Sequence, residues 1–258
     1  MARTMLTLTS AAALIYLALC AALFIFQRSM IYFPQPRALP HNTSMFTLPV
    51  DGAELVVTTR PLQGSTTVKG ALIYFGGNAE DVSHSLPSLV SAFPDHVLYL
   101  LHYRGYGGST GTPSEAAIIA DALALFDKVY AEHKSIVVVG RSLGSGVAVQ
   151  LASQRPVARL VLVTPYDSIA EIAARQFPVF PVRWLLQDKF ESSKFAPKIT
   201  VPTLIIAAEH DEVIPRASTD ALFNSFRAGV AVFKVVARAG HNTISDSPDY
   251  MPLLKGAL

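Results

Sequence analysis

The spacing of apolar and polar positions changes character along this chain. Leu6 to Phe26 is an almost wholly apolar run with no charge; its only aliphatic hydroxyls are Thr7, Thr9 and Ser10, and Tyr16 adds a phenol. Its 21 residues would extend roughly 30 Å as a helix, the thickness of a bilayer core. From Met45 onward the apolar residues fall into short runs bounded by turn residues, the pattern of strands. These runs are Met45–Leu48, Glu54–Thr59, Ala71–Phe75, His96–Leu101, Ile136–Val139, Leu160–Val163, Thr203–Ala207 and Ala231–Val236. Asp51-Gly52 supplies a hairpin turn between the first two. Ile118, Ile119, Ala122, Leu123, Phe126, Val129 and Tyr130 recur at helical spacing, which predicts a helix from Pro113-Ser114-Glu115 to about Lys134. A second helix is predicted near Arg216–Phe226. Alternating strands and helices predict a mostly parallel central sheet with helices on both faces, an α/β fold. In such sheets ligands gather at the carboxyl ends of the strands.

Two other readings of the terminal run are weaker. A cleaved signal peptide has a shorter apolar core and a small-x-small exit, whereas Phe24-Ile25-Phe26-Gln27-Arg28 is bulky. A lipoprotein signal needs a small residue before Cys20, and Leu19 is not small. The segment is therefore expected to be an uncleaved single-pass anchor over 1–30, with Phe24, Phe26, Tyr32 and Phe33 suited to the lipid–water interface. Arg3 on one side, and Arg28 and Arg37 on the other, leave its orientation open. Pro34, Pro36 and Pro40 predict a stiff linker. The catalytic domain is then expected over 31–258, long enough for one large α/β domain.

Composition narrows the functional classes. Hydrophobic residues make up 51% and charged residues 16%, and the formal net charge is +2 with no Lys/Arg cluster. Nucleic acid is thus not an expected partner. Cys20 is the only cysteine and lies in the apolar run, so the domain has no disulfide, cysteine metal site or cysteine nucleophile.

The chemistry centres on Gly140-Arg141-Ser142-Leu143-Gly144, which follows Ile136–Val139 and precedes Val147-Ala148-Val149-Gln150-Leu151-Ala152. Gly-x-Ser-x-Gly between a strand and a helix is the form of a nucleophile elbow. A serine hydroxyl needs a base, and the base needs an acid to set its tautomer. After an elbow the chain order is serine, acid, histidine. Asp211, after the strand Thr203–Ala207, is the expected acid, with Glu209 and Glu212 as competitors; His241, in Gly240-His241-Asn242, is the expected base. His41, His84, His96, His102, His133 and His210 are expected to be structural or solvated. The oxyanion of acyl transfer needs N–H donors. Leu143, following the nucleophile, is one candidate, and Asn78 in Gly76-Gly77-Asn78-Ala79 is the other. A backbone donor survives side-chain removal, so Asn78→Ala is expected to be mild. No phosphate-loop glycine pattern occurs here or at Gly105–Gly111.

These residues resemble the α/β-hydrolase superfamily, and more narrowly the membrane-anchored Bem46-like hydrolases, with ABHD17-type depalmitoylases and serine aminopeptidase-like sequences as relatives. The resemblance runs from about Ile31 to the C-terminus. It rests on Tyr74–Ala79, Tyr103-Arg104-Gly105-Tyr106-Gly107-Gly108-Ser109, Gly140–Gly144, Asp211-Glu212-Val213-Ile214-Pro215 and Gly240-His241-Asn242. It implies an α/β-hydrolase fold, a triad of Ser142, His241 and Asp211, oxyanion donors at Asn78 and Leu143, and no metal or organic cofactor. Two departures stand out: Gly76 where the family usually has His, and His102 where an Asp commonly precedes Tyr-Arg-Gly-Tyr-Gly.

A short cap is expected at about 165–200, carrying Phe177-Pro178-Val179-Phe180-Pro181-Val182 and Trp184-Leu185-Leu186. These residues either wall an acyl chain or merely pack the cap onto the core. The expected activity is hydrolysis of an ester or thioester of a small or lipid-like acyl substrate. An aminopeptidase-like amide hydrolase and an inactive binding module are the alternatives.

Overall fold

The computed structural model of the chain describes residues 2–37, 44–61 and 68–256. Helix α1 runs from Ala2 to Ile31 and is long and apolar enough to cross a membrane. It outruns the apolar stretch because Gln27 and Arg28 find partners in the cap. Eight strands follow: β1 Met45–Val50, β2 Ala53–Arg60, β3 Gly70–Phe75, β4 His96–Leu101, β5 Ile136–Arg141, β6 Arg159–Val163, β7 Thr203–Ala208 and β8 Ala231–Val236. They form one sheet in the order β1-β2-β4-β3-β5-β6-β7-β8. β1 and β2 are antiparallel to each other and β2 to β4, while every other neighbour is parallel. Every strand foreseen from the apolar runs is present. Gly52 takes φ +68° in the expected hairpin turn.

The remaining helices are α2 Leu86–Ala92, α3 Glu115–Glu132, α4 Leu143–Ala152, α5 Ile169–Gln176, α6 Val182–Leu185, α7 Ser192–Phe195, α8 Arg216–Ser225 and α9 Tyr250–Lys255. Ser114 caps α3, its hydroxyl accepting the Ala117 amide. That helix stops short of Lys134 because His133 turns extended.

Alternation along the central strands divides the core into two. Ile73, Phe75, Ile136, Val138, Leu160 and Leu162 pack with α3 and α4 on one face. Leu72, Tyr74, Val137, Val139, Val161 and Val163 pack with α2 and α9 on the other. Both faces of β5 are thus covered, which is why Ile136–Val139 is uninterrupted Val and Ile rather than alternating. Burying each such side chain contributes about 1.5–3 kcal/mol.

The segment after α1 is not a free spacer. The Tyr32 hydroxyl donates to Asp188, the Phe33 amide donates to Asn78 Oδ1 and to the Tyr106 hydroxyl, and the Gly107 amide donates to Gln35. Pro34 and Pro36 stiffen a strap pinned to the domain, while Pro40 and His41 lie outside the described residues.

His102 is structural, as expected. It is buried, with Nε2 2.9 Å from the Thr58 hydroxyl. Its ring fills the space a Cβ on Gly107 would need. Burial pushes its pKa from 6.5 to about 4, only partly offset by Asp81. The unfolded chain therefore binds this proton more readily, and the stability tied to a neutral His102 is complete above pH 6.5 and lost as pH falls towards 4. The loss amounts to about 3 kcal/mol. Chemical denaturation followed across that window is expected to show this slope in the native chain and a flatter one in His102→Gln.

Candidate active site

The elbow is built by close packing. Ser142 follows β5 with φ +50° and ψ −118°, a conformation that side chains rarely adopt. Its amide donates to the Val163 carbonyl at 2.9 Å. A Cβ on Gly140 would strike the Gly144 carbonyl and Ala148, and one on Gly144 would strike the carbonyls of Phe75 and Gly76. The two glycines therefore let α4 lie directly against β5 and β3. The Tyr166 hydroxyl donates to the Leu143 carbonyl at 3.2 Å and buttresses the first turn of α4.

The loops after β7 and β8 bring Asp211 and His241 to this serine. His241 Nε2 lies 2.9 Å from Ser142 Oγ. His241 Nδ1 lies 2.9 and 3.0 Å from the two Asp211 carboxylate oxygens. Both partner side chains are buried, at 6% and 8% exposure, so the pair is shielded from competing water. The Asp211 carboxylate also accepts the amides of Val213 and Ile214, at 3.0 and 2.7 Å, which orients it. The two competing acids do other work. Glu212 accepts the His241 amide at 2.9 Å, and Glu209 accepts the Arg238 amide at 2.7 Å. The His241 amide, followed by Glu212's own, holds the Glu212 carboxyl below its ordinary pKa.

Asn78 and Leu143 line the same cavity as Ser142. Among the described residues neither backbone amide donates a hydrogen bond to the protein. A Cβ on Gly77 would sit 3.5 Å from that of Ser142, so the loop after β3 adjoins this serine. The Asn78 side chain has a role the sequence did not suggest. Its Nδ2 donates to the Ile31 carbonyl, at the end of α1, and its Oδ1 accepts from Phe33, Ala79 and the Tyr106 hydroxyl. Asn78 ties the loop beside the serine to the helix leaving the terminal segment.

A second polar cluster also escaped the sequence reading. Glu80 accepts the Gly77 amide at 2.6 Å and pairs with Arg141 at 3.1 Å. Tyr74 and Ser85 hydroxyls donate to its other oxygen at 2.8 and 2.7 Å. Arg141 reaches on to the His241 carbonyl at 3.3 Å. One guanidinium thus joins the loop after β3, the elbow and the histidine loop. Its position inside Gly-x-Ser-x-Gly was the only signal available. No cluster of His, Cys, Asp and Glu suited to a metal occurs among the described residues.

The cavity over Ser142 has a volume of about 500 Å³. Its walls are mainly apolar and come from the excursion between β6 and β7, including Ile169, Ile172, Val182 and Leu186, and from α1. Here the cap residues Phe177, Val182, Leu185 and Leu186 line the cavity, whereas Trp184 points away, 90% exposed.

Comparison with known proteins agrees with this fold. A family profile described as alpha/beta hydrolase fold matches residues 70–189. An uncharacterized protein of Mycobacterium tuberculosis is 36% identical over 230 residues, which covers 84% of this chain and 80% of that protein. Protein bem46 of Schizosaccharomyces pombe is 30% identical over 188 residues, covering 66% of this chain and 61% of its own. The chain belongs to the Bem46-like family of α/β hydrolases. Lysophosphatidylserine lipase ABHD12 of Rattus norvegicus is 32% identical over 219 residues, 71% of this Bem46-like chain and 54% of the lipase. A soluble variant of monoglyceride lipase from Saccharomyces cerevisiae, solved with a substrate analogue, shares the fold with a TM-score of 0.63 at 16% identity, over 86% and 99% of the two chains.

The Asn78 side-chain contacts add a structural role to the backbone donor expected of this residue. Asn78→Ala leaves the Phe33 amide and the Ile31 carbonyl without this partner, and is expected to lower stability by about 1–3 kcal/mol. Thermal unfolding of the full chain in detergent, beside an Asn224→Ala control on the surface of α8, measures this.

Proposed function

We propose that this Bem46-like chain is a serine hydrolase anchored by α1, cleaving an ester or thioester of an acyl chain through Ser142, His241 and Asp211. The supporting observation is the continuous hydrogen-bonded line from Asp211 through His241 to Ser142 Oγ at the elbow. An inactive binding module has no need of that alignment, nor of a serine held at φ +50°.

Asp211 takes the Nδ1 proton of His241 into a hydrogen bond, which leaves Nε2 free to accept. As Ser142 Oγ attacks the acyl carbonyl, Nε2 takes its proton, and the buried Asp211 carboxylate stabilises the imidazolium. The amides of Leu143 and Asn78 receive the oxyanion. When the tetrahedral intermediate collapses, His241 returns its proton to the departing alcohol or thiol, leaving Ser142 acylated. Water enters, His241 takes one of its protons, and the second tetrahedral intermediate releases the carboxylic acid and restores Ser142.

The apolar walls support an acyl substrate, in keeping with a family that includes a protein named a lysophosphatidylserine lipase. An aminopeptidase reaction would need a free carboxylate beside Ser142 to hold an amine. Glu212 faces the cavity, but it is engaged with the His241 amide.

A fluorophosphonate probe is expected to label the chain at Ser142, with labelling lost in Ser142→Ala. The same substitution is expected to lower ester turnover on the order of 10⁶-fold. Hydrolysis that persists in Ser142→Ala, after mass spectrometry has placed no probe on Ser142, sinks the assignment.

A further inference from the structure

Helix α1 forms part of the substrate cavity. Leu23, Gln27, Met30 and Ile31 line it opposite the cap, together with Ser142. The seam between α1 and the cap is polar at its lower end. Gln27 donates to the Leu185 carbonyl at 3.2 Å and accepts the Gln187 amide at 2.6 Å, and Arg28 pairs with Asp188 at 3.0 Å. The seam then continues up the helix to Tyr16. The Tyr16 ring stacks on Phe180 at 5.8 Å, with planes 2° apart, and its hydroxyl donates to the Val179 carbonyl at 2.9 Å.

That contact lies deep in the apolar run. Tyr16 precedes Phe26 by about 15 Å of helix, half of a roughly 30 Å hydrocarbon core. A cap that touches α1 there cannot stay in water while α1 spans a bilayer. Its outer residues suit immersion: Val179 is 70% exposed and Trp184 90% exposed. The one charge within the tip, Arg183, is held by both oxygens of Glu171 at 2.7 and 2.8 Å, a neutral fork.

We propose that the cap tip, Phe177 to Trp184, is sunk beside α1 in the leaflet, so that the cavity over Ser142 opens on hydrocarbon. The acyl chain then moves from the bilayer along α1 to the serine without crossing water. This rests on reading α1 as a membrane span and Ser142 as the nucleophile. It makes the helix a wall of the binding site as well as a tether.

Trp184 is the only tryptophan, so the emission of the full chain in phosphatidylcholine vesicles reports on the cap tip alone. Blue-shifted emission is expected, quenched by phosphatidylcholine brominated in mid-chain and indifferent to iodide. Val179→Asp places a charge on the immersed tip, at a residue that does not line the cavity. It is expected to shift the emission to the red and to cut hydrolysis of a vesicle-borne long-chain ester about tenfold, with a short water-soluble ester unaffected. Red emission in the native chain, quenched by iodide and untouched by the brominated lipid, overturns the proposal. So does a Val179→Asp chain that hydrolyses both esters at the native rate. Fluorophosphonate labelling in the same vesicles separates the two readings: labelled Ser142 with a water-exposed Trp184 removes only the buried cap. An unlabelled serine counts against the nucleophile, and the emission still decides where the cap lies.

Discussion

The arrangement depends on one strained residue. Ser142 sits at φ +50° between the central strand β5 and α4, a conformation that costs about 1–3 kcal/mol. It persists because its surroundings leave no alternative. Its amide is bonded to Val163, its carbonyl accepts from Ser145, and the glycines on either side allow α4 to seat against β5 and β3. The strain is offset by a core in which Ile136, Val138, Val139 and Val147 are entirely buried. What it secures is direction: the hydroxyl stands at the carboxyl edge of the sheet, where the loops after β3, β7 and β8 converge.

Those loops are held to one another by ionic and amide contacts above the apolar core. Glu80 grips the loop after β3, Arg141 grips Glu80 and the His241 carbonyl, and Glu212 grips the His241 amide. Arg141 and Glu80 are mostly buried, with 19% and 10% exposure. Losing either partner leaves the other charge poorly solvated, a larger penalty than the pair's own net contribution. Asn78 extends the same network outward to Ile31 and Phe33. The end of the apolar helix and the loop beside the serine are therefore one hydrogen-bonded unit.

By itself, the sequence determined whatever local patterning and chain order can carry. Valine and isoleucine runs named the strands, because a strand covered on both faces has no polar positions. Gly140 and Gly144 announced the elbow, because only glycine admits such close backbone contact. The order Ser142, Asp211, His241 pointed to three side chains that the folded chain brings into hydrogen-bond contact. The sequence already favours Asp211 over Glu209 and Glu212, and the folded loop gives the reason: all three share one short acidic stretch and differ in where the backbone aims them. Short helices such as α2, α6 and α7 had too few turns to show a period. The side-chain contacts of Asn78, the roles of Glu80 and Arg141 and the α1 wall of the cavity were decided by tertiary structure alone. They join residues far apart in the chain, Tyr16 to Val179 and Ile31 to Asn78 among them, and no local pattern encodes a contact that exists only after the sheet has brought its loop ends together.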